Sequence, residues 1–294
     1  MTDAGLAALV ATADDLPAAV AAALARPEPG RERTIGAAGY AWRAIEWGDP
    51  QDPPLLLVHG VTSNAETFWR IAPAVAAAGR HVVAVDLPGH GRTGDWRGRH
   101  RFAETAVDLA AFVRAAGLER TGLAVLGHSW GGMVVSTLPA AGLRPDRLVL
   151  LDPPVLGLEA LEEMTLDPLE RPYVSVDAAV AAVRAANPGW SDGDVRSKAL
   201  GLTQFEPGAV VAVLLENGDW DGGLAALADP AAAGIPTWVV RGVPDAGCLV
   251  PDAALPAFRA RVGRDHVITI ADGSHSPQRT HPEATILAIL GALA

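Results

Sequence analysis

The chain has 294 residues, of which 50% are hydrophobic and 19% are charged, and its formal net charge is −11 at pH 7. This composition supports a sizeable core in one large domain, or one domain with an insertion, and it argues against a disordered chain. The acidic balance argues against nucleic acid as a partner, because the phosphate backbone would be repelled.

The beginning of the chain is rich in alanine, and we predict a helical extension over residues 1–30. It lacks the basic start of a signal peptide, and acidic residues interrupt its apolar run. No uncharged apolar run in the sequence reaches the ~20 residues that span a bilayer. We therefore expect a cytoplasmic protein with no membrane partner. A homodimer formed through the extension is one arrangement that the sequence leaves open.

After the extension, short apolar runs alternate with helical stretches. Residues 33–49 predict an antiparallel strand pair around a glycine turn. Continuous apolar runs predict buried strands at 53–60, 81–86, 122–127, 147–152, 237–242 and 266–273. Helical spacing predicts helices at 64–78, 101–117, 133–142 and 281–294. This alternation is typical of a parallel, doubly wound α/β sheet.

Residues 153–233 interrupt the alternation, because they are helical and polar and carry no clear strand signal. The strand pattern resumes at Ile235. We interpret the segment as a helical cap, inserted before the penultimate strand and placed over the carboxyl ends of the strands. The core then comprises residues 31–152 and 234–294. The alternative is an extra pair of helices packed on the sheet.

Ligands of open α/β sheets bind beyond the carboxyl ends of the strands, so the residues that end each strand are the candidates for a site. One of these ends reads Gly127-His128-Ser129-Trp130-Gly131, which fits the pattern G-x-S-x-G. A buried run precedes it and an apolar helix follows. Such a tight turn would lift the serine hydroxyl into the site and aim the helix N-terminus at the reacting oxygen. A glycine-rich packing turn is the alternative.

Four motifs together resemble the α/β-hydrolase superfamily: "LLLVHG", "VVAVDLPGHGRTG", "GHSWGG" and "DGSHSPQRTHPE". The resemblance implies a mostly parallel sheet of about eight strands. It implies that Ser129 is a nucleophile and His275 its general base, with His281 as a competitor more suited to capping a helix. A serine at this turn distinguishes the chain from the haloalkane dehalogenase and epoxide hydrolase branches, which use aspartate there.

The resemblance also implies an oxyanion hole formed by the backbone N–H groups of Val61 and Trp130. His59 ends a strand beside this loop, and we expect it to orient the loop at the edge of the substrate site. The stretch Gly89–Gly94 reads "GHGRTG" and fits the dinucleotide fingerprint G-x-G-x-x-G. No helix follows it directly, so a nucleotide role is not favoured.

Two aspartates compete for the acid that would hold the histidine. Asp245 lies in the loop after residues 237–242, where most of the family places its acid, but three extra residues stretch that loop. Asp152 ends the preceding strand in "LVLLDPP", where some lactone-opening branches take theirs. We predict Asp152, with Asp245 as the alternative. Asp86 is expected to fix its own loop.

These residues predict a serine hydrolase that cleaves a carboxylic ester or lactone of a small, largely apolar substrate through an acyl-enzyme. Neither a metal nor a cofactor is expected. The expected substrate contacts, besides His59, are Trp190, Phe205, Leu214 and Trp220. The alternatives are a thioesterase or carbon–carbon bond hydrolase with the same triad, a cofactor-free perhydrolase, and a ligand sensor on the same fold.

Overall fold

A computed structural model describes residues 8–94 and 97–294 of the chain. Its strands are β1 (Arg31–Ala37), β2 (Tyr40–Trp47), β3 (Pro54–Val58), β4 (His81–Val85), β5 (Ala124–His128), β6 (Arg147–Leu151), β7 (Val155–Leu156), β8 (Trp220–Asp221), β9 (Thr237–Arg241) and β10 (Val267–Thr269). Its helices are α1 (Ala18–Ala25), α2 (Ile71–Ala76), α3 (Phe102–Ala115), α4 (Trp130–Thr137), α5 (Leu158–Thr165), α6 (Val176–Ala186), α7 (Asp192–Leu202), α8 (Pro207–Leu215), α9 (Leu224–Ala228), α10 (Leu255–Val262), α11 (Pro277–Thr280) and α12 (Pro282–Leu293).

Eight of the strands form one sheet in the order β1-β2-β4-β3-β5-β6-β9-β10. The pairs β1–β2 and β2–β4 are antiparallel, and every other neighbouring pair is parallel. The predicted mostly parallel sheet of about eight strands is therefore confirmed. All carboxyl ends of the parallel strands lie at one edge, which is where the candidate site residues were expected.

Helices cover both faces of the sheet, and its central strands β3, β4 and β5 are buried at every position. Alternate residues of β3, such as Leu56 and Val58, belong to one apolar cluster with helices α3, α4 and α10. The residues between them, such as Leu55 and Leu57, belong to a second cluster with α1, α2 and α12. Successive side chains of a strand point to opposite faces. The continuous apolar runs in the sequence thus correspond to strands buried on both faces.

The N-terminal extension joins the core rather than standing apart from it. Leu9 pairs with Ile270 as a parallel bridge, through hydrogen bonds from Leu9 N–H to the Thr269 carbonyl (2.7 Å) and from Ala271 N–H to the Leu9 carbonyl (3.0 Å). Helix α1 packs on α2 with its buried side chains Val20 and Leu24. Residues 1–7 of the predicted extension lie outside the described part of the chain.

The predicted helix over residues 64–78 is divided into a 3₁₀ turn (Ala65–Phe68) and α2. Asn64 caps the turn as predicted, because its side chain accepts the Glu66 N–H. Pro73 has no N–H to donate to the carbonyl of Trp69 four residues earlier, so a continuous helix would lack this hydrogen bond at the break.

The segment 153–233 carries helices α5 to α9 between β6 and β9, and it also contains a short strand pair that the sequence did not indicate. In this antiparallel pair Val155 lies opposite Asp221 and Leu156 opposite Trp220. Two residues per strand are too few to produce an alternating pattern. Helix α9 contacts α4 and α10 of the core. We use "cap" below for α5 to α8 with the strand pair.

The cap is bound to the loop after β4 by backbone hydrogen bonds. Gly91 N–H donates to the Gln204 carbonyl at 2.6 Å, and Glu206 N–H donates to the Gly89 carbonyl at 2.8 Å. Trp69 Nε1 donates to Asp194 of α7 at 3.0 Å. Among the described helices, none combines the length and apolar character needed to cross a membrane.

We expect Leu24→Ala to lower the free energy of unfolding by about 2–3 kcal/mol, because it leaves a void between α1 and α2. Urea unfolding followed by circular dichroism measures the change. The control is Val107→Ala, which truncates an exposed side chain on α3 and should change stability by less than about 0.5 kcal/mol. A loss no larger than that of the control would contradict the packing of α1 on the core.

Candidate active site

Ser129 lies at a strained turn between β5 and α4. Its backbone has φ 56° and ψ −126°, values that residues with side chains rarely adopt. A Cβ on Gly127 would lie 2.2 Å from the Gly131 carbonyl oxygen, and one on Gly131 would lie 2.4 Å from the carbonyl oxygen of Val58. Both flanking positions of the G-x-S-x-G pattern therefore require glycine. The turn presents the Ser129 hydroxyl at the carboxyl edge of the sheet.

A chain of hydrogen bonds joins three of the predicted residues. His275 Nε2 lies 3.0 Å from Ser129 Oγ. His275 Nδ1 lies 2.6 Å from Asp152 Oδ2. The tautomer that satisfies both contacts carries its proton on Nδ1 and accepts the serine proton at Nε2. This is the arrangement in which an imidazole can act as general base toward a hydroxyl.

Asp152, and not Asp245, is the carboxylate that reaches His275. Asp152 is fully buried and has a positive φ of 46° at the end of β6. Its Oδ2 also accepts the Leu249 N–H at 2.9 Å, and its own N–H donates to the Val240 carbonyl at 2.7 Å. Asp245 lies exposed in a short 3₁₀ turn. The geometry thus agrees with the prediction of Asp152, although its catalytic role stays a prediction.

Two further histidines lie close to this chain. His128 Nε2 donates to the backbone carbonyl of His275 at 2.8 Å, so the residue beside the serine holds the loop that carries the predicted base. Burial keeps the pKa of His128 well below its usual value. His281 lies at the N-cap position of α12, with Nδ1 3.0 Å from Thr280 Oγ1. The side chain makes no hydrogen bond to the first turn of α12, so the expected capping by the imidazole is not seen.

The loop expected to supply the oxyanion hole lies directly against the serine. A Cβ on Gly60 would approach Ser129 Cβ to 2.9 Å, which only glycine avoids. Val61 follows in this loop, and Trp130 is the first residue of α4. Val61 lines the cavity together with Ser129. The role of the Val61 and Trp130 N–H groups as oxyanion donors stays a prediction.

His59 orients this loop but does not line the cavity, so its expected substrate contact is not supported by the structure. Its Nδ1 donates to the Gly60 carbonyl at 2.8 Å, and its Nε2 accepts the Leu87 N–H at 3.0 Å. Both ring nitrogens are thus used within the protein. Burial lowers the pKa of His59 to about 4, which keeps the ring neutral.

A cavity of about 500 Å³ lies between the serine and the cap. The four other expected contact residues, Trp190, Phe205, Leu214 and Trp220, line it together with Ser129 and His275. Most of the remaining wall under the cap is apolar and includes Met164, Pro207, Val210, Val211 and Leu249. The site is therefore a concave, mainly apolar chamber with the polar chain at one end.

Five charged residues line the same cavity and were not singled out from the sequence: Asp167, Glu170, Arg171, Lys198 and Arg279. Lys198 Nζ contacts Glu170 Oε2 at 2.5 Å and Thr62 Oγ1 at 2.8 Å. Arg279 follows the base by four residues in "DGSHSPQRTHPE". An arginine one helical turn after the predicted base was the signal that could have found it.

The "GHGRTG" stretch serves the fold. A Cβ on Gly91 would lie 2.1 Å from Asp86 Oδ2, so this glycine lets the loop approach the carboxylate. Asp86 accepts the N–H groups of Ala65 at 2.7 Å and Arg92 at 2.9 Å, and it thereby fixes its own loop as expected. A buried carboxylate against this glycine would repel a pyrophosphate. Within the described residues, no group of three or more His, Cys, Asp or Glu side chains could hold a metal ion.

The sheet, the tight turn at Ser129 and the hydrogen-bonded Ser–His–Asp residues are typical of a hydrolase. Comparison with known proteins agrees. A family model described as "Alpha/beta hydrolase family" matches residues 55–288. The chain therefore belongs to the alpha/beta hydrolase family.

Individual relatives match the chain at modest sequence identity. A human (Homo sapiens) serine hydrolase-like protein is 36% identical over 124 residues, which cover 40% of this chain and 59% of that protein. Lipase LipV of Mycobacterium tuberculosis is 29% identical over 248 residues, covering 78% of this chain and 88% of that protein. The crystal structure of an E-2-(acetamidomethylene)succinate hydrolase has a TM-score of 0.75 at 22% identity, covering 90% of this chain and 99% of that chain. The chain spans little more than half of the human relative.

We expect stability to fall as the pH is lowered from about 6.5 toward 4. Burial lowers the pKa of His59 to about 4 and that of His90 to about 3, so both stay neutral while the unfolded chain takes up protons. The unfolded state then binds more protons, and each histidine removes about 1.4 kcal/mol of stability per pH unit in this window. Urea unfolding at pH 7.5, 6 and 5 measures the slope.

The variant His59→Asn keeps a donor for the Gly60 carbonyl but cannot titrate. Its slope should be smaller than that of the parent by about 1.4 kcal/mol per pH unit. An unchanged slope would show that His59 is not held neutral by burial.

Proposed function

We propose that the protein is a serine hydrolase that cleaves a carboxylic ester or lactone through an acyl-enzyme. The observation that carries the proposal is the hydrogen-bonded chain from Ser129 through His275 to Asp152 at the end of a largely apolar cavity. A serine hydroxyl becomes a nucleophile when a neighbouring base can take its proton.

The reaction proceeds in two halves. Ser129 Oγ attacks the ester carbonyl while His275 Nε2 takes its proton, and Asp152 stabilises the resulting imidazolium. The backbone N–H groups of Val61 and Trp130 donate to the oxygen that becomes negative. His275 then gives the proton to the departing alcohol oxygen, and the acyl group stays on Ser129. Water attacks the acyl carbonyl while His275 takes its proton. The imidazolium then gives that proton to the departing Ser129 Oγ, which releases the acid and restores the serine.

Cavity size and relatives both support a small ester. A volume of about 500 Å³ accommodates a compact substrate, and the apolar wall favours an apolar portion under the cap. The similarity to a protein named lipase, over 78% of this chain, supports ester chemistry in the same family. A lactone is an ester closed into a ring, so the same steps open it.

A fluorophosphonate probe should label the protein once, on Ser129, because the activated hydroxyl attacks the phosphorus. Intact-mass and peptide mass spectrometry measure the site. Ser129→Ala should abolish labelling. The matched control is Ser63→Ala, since Ser63 is a second buried serine that lines the cavity, and that variant should still be labelled. Labelling that survives Ser129→Ala would refute the nucleophile.

The activities of two asparagine variants distinguish Asp152 from Asp245. Asp152→Asn should lower kcat on p-nitrophenyl esters by about 10⁴-fold, because the amide stabilises the wrong imidazole tautomer. Asp245→Asn is the matched control and should leave kcat close to that of the parent, because Asp245 lies exposed away from the histidine. A crippled Asp245→Asn with an active Asp152→Asn would reverse the assignment.

A further inference from the structure

Arg279 is a buried cation without an anionic partner at the wall of the cavity. Only 6% of the residue is exposed, and it lines the same cavity as Ser129 and His275. Within the described part of the chain its guanidinium donates one hydrogen bond, from Nη2 to Thr67 Oγ1 at 2.8 Å. Its Nε is buried and has no hydrogen-bond acceptor. The described residues thus accept a hydrogen bond from one of the five N–H donors of the guanidinium.

The neighbouring carboxylates do not fill this role. Glu170 is bonded to Lys198 and Thr62, and Asp194 is bonded to Trp69 and Ser191. No carboxylate among the described residues lies within 4.0 Å of the Arg279 nitrogens. The ring of Trp190 covers one face of the guanidinium, 4.8 Å from Cζ. An aromatic face attracts a cation but accepts none of its in-plane N–H groups.

Arg279 stays charged under ordinary conditions. Burial lowers its pKa to about 10, and the negative charges of Asp194 and Glu170 oppose this decrease. At neutral pH the guanidinium therefore carries its proton. A charge in this environment is destabilising unless an anion pairs with it. The open space beside it is the substrate cavity.

We infer that Arg279 binds a carboxylate of the substrate, so that the preferred esters carry a free carboxylate at a distance from the bond that is cleaved. This inference rests on the function proposed above and identifies its substrate class. The planar guanidinium offers N–H donors that match the two oxygens of a carboxylate. Among the described residues that line the cavity, Arg279 is the one buried cation with no salt bridge, because Lys198 is paired with Glu170 and Arg171 is exposed. One buried positive charge fits a monoanion.

The location of Arg279 suits this role. It lies in α11, which follows the loop of His275 directly, so one short segment carries both the base and the anchor. The bond to Thr67 ties the guanidinium to the 3₁₀ turn after the Gly60–Val61 loop. An acid group held there would fix the other end of the substrate relative to Ser129. Orientation of this kind contributes to the rate as well as to affinity.

Matched pairs of substrates test the inference. Monoethyl esters of succinic, glutaric and adipic acid carry a carboxylate, and the ethyl esters of the corresponding monoamides replace it with a neutral group of the same shape. Hydrolysis is followed by pH-stat at pH 7.5. At the best chain length we expect kcat/KM to be about 10- to 100-fold higher for the acid than for its amide, from hydrogen bonds to a charged group.

Arg279→Gln should remove most of this preference by lowering kcat/KM for the acid, while hydrolysis of the amide stays within a few-fold of the parent. Arg279→Lys should restore part of it, because the charge returns without the planar fork. The control Arg196→Gln removes an exposed arginine of α7 outside the cavity and should leave the preference intact.

The outcomes separate the two proposals. Hydrolysis of both members of each pair at equal rates by the parent protein would overturn the carboxylate site while leaving the serine hydrolase intact. No Ser129-dependent hydrolysis of either member, nor of the p-nitrophenyl esters, would overturn the function itself. Preference for the acid that survives in Arg279→Gln would assign carboxylate recognition elsewhere. If that variant does not fold, the parent's preference and the Arg279→Lys variant still decide the question.

Discussion

The structure depends on one steric constraint, the contact of backbone with backbone around Ser129. Gly131 lies so close to the carbonyl oxygens of Val58 and His59 that a Cβ would fall within 2.6 Å of both. Helix α4 is thereby held directly against the end of β3. The same contact brings the serine beside the loop of Gly60 and Val61. Ser129, the proposed nucleophile, and the loop proposed to donate to the oxyanion are thus brought together by backbone packing.

The position of Asp152, the predicted acid, follows from how the neighbouring strands β6 and β9 end. The stretched loop after β9 turns back so that Leu249 N–H bonds to Asp152, a residue of the preceding strand end. One carboxylate oxygen therefore holds both this loop and His275. The extra residues Ala246, Gly247 and Cys248 lie between Asp245 and Leu249 in this loop, and Asp245 itself lies in an exposed turn.

Local sequence patterns predicted much of the fold and part of the candidate site. The run that forms β3 is apolar at every position because both faces of this strand are buried. The glycines at 127 and 131 indicate a turn in which no larger residue fits. Each of these features can be recognised from a few consecutive residues. The broken helix at Pro73 and the strand pair of Val155–Leu156 were missed, since each depends on one bond or on two residues per strand.

The charged part of the cavity could not be predicted from local sequence patterns. Thr62, Glu170 and Lys198 come from the core and from two parts of the cap, more than a hundred residues apart at the extremes. Only the folded chain shows that Lys198 forms a salt bridge with a carboxylate while Arg279 does not. The backbone bonds between residues 89–91 and 204–206 have a further mechanical consequence. They fasten residues 204–206 of the cap to the core, whereas a second opening, lined by Asp167, Glu170, Ala246 and Gly247, reaches His275.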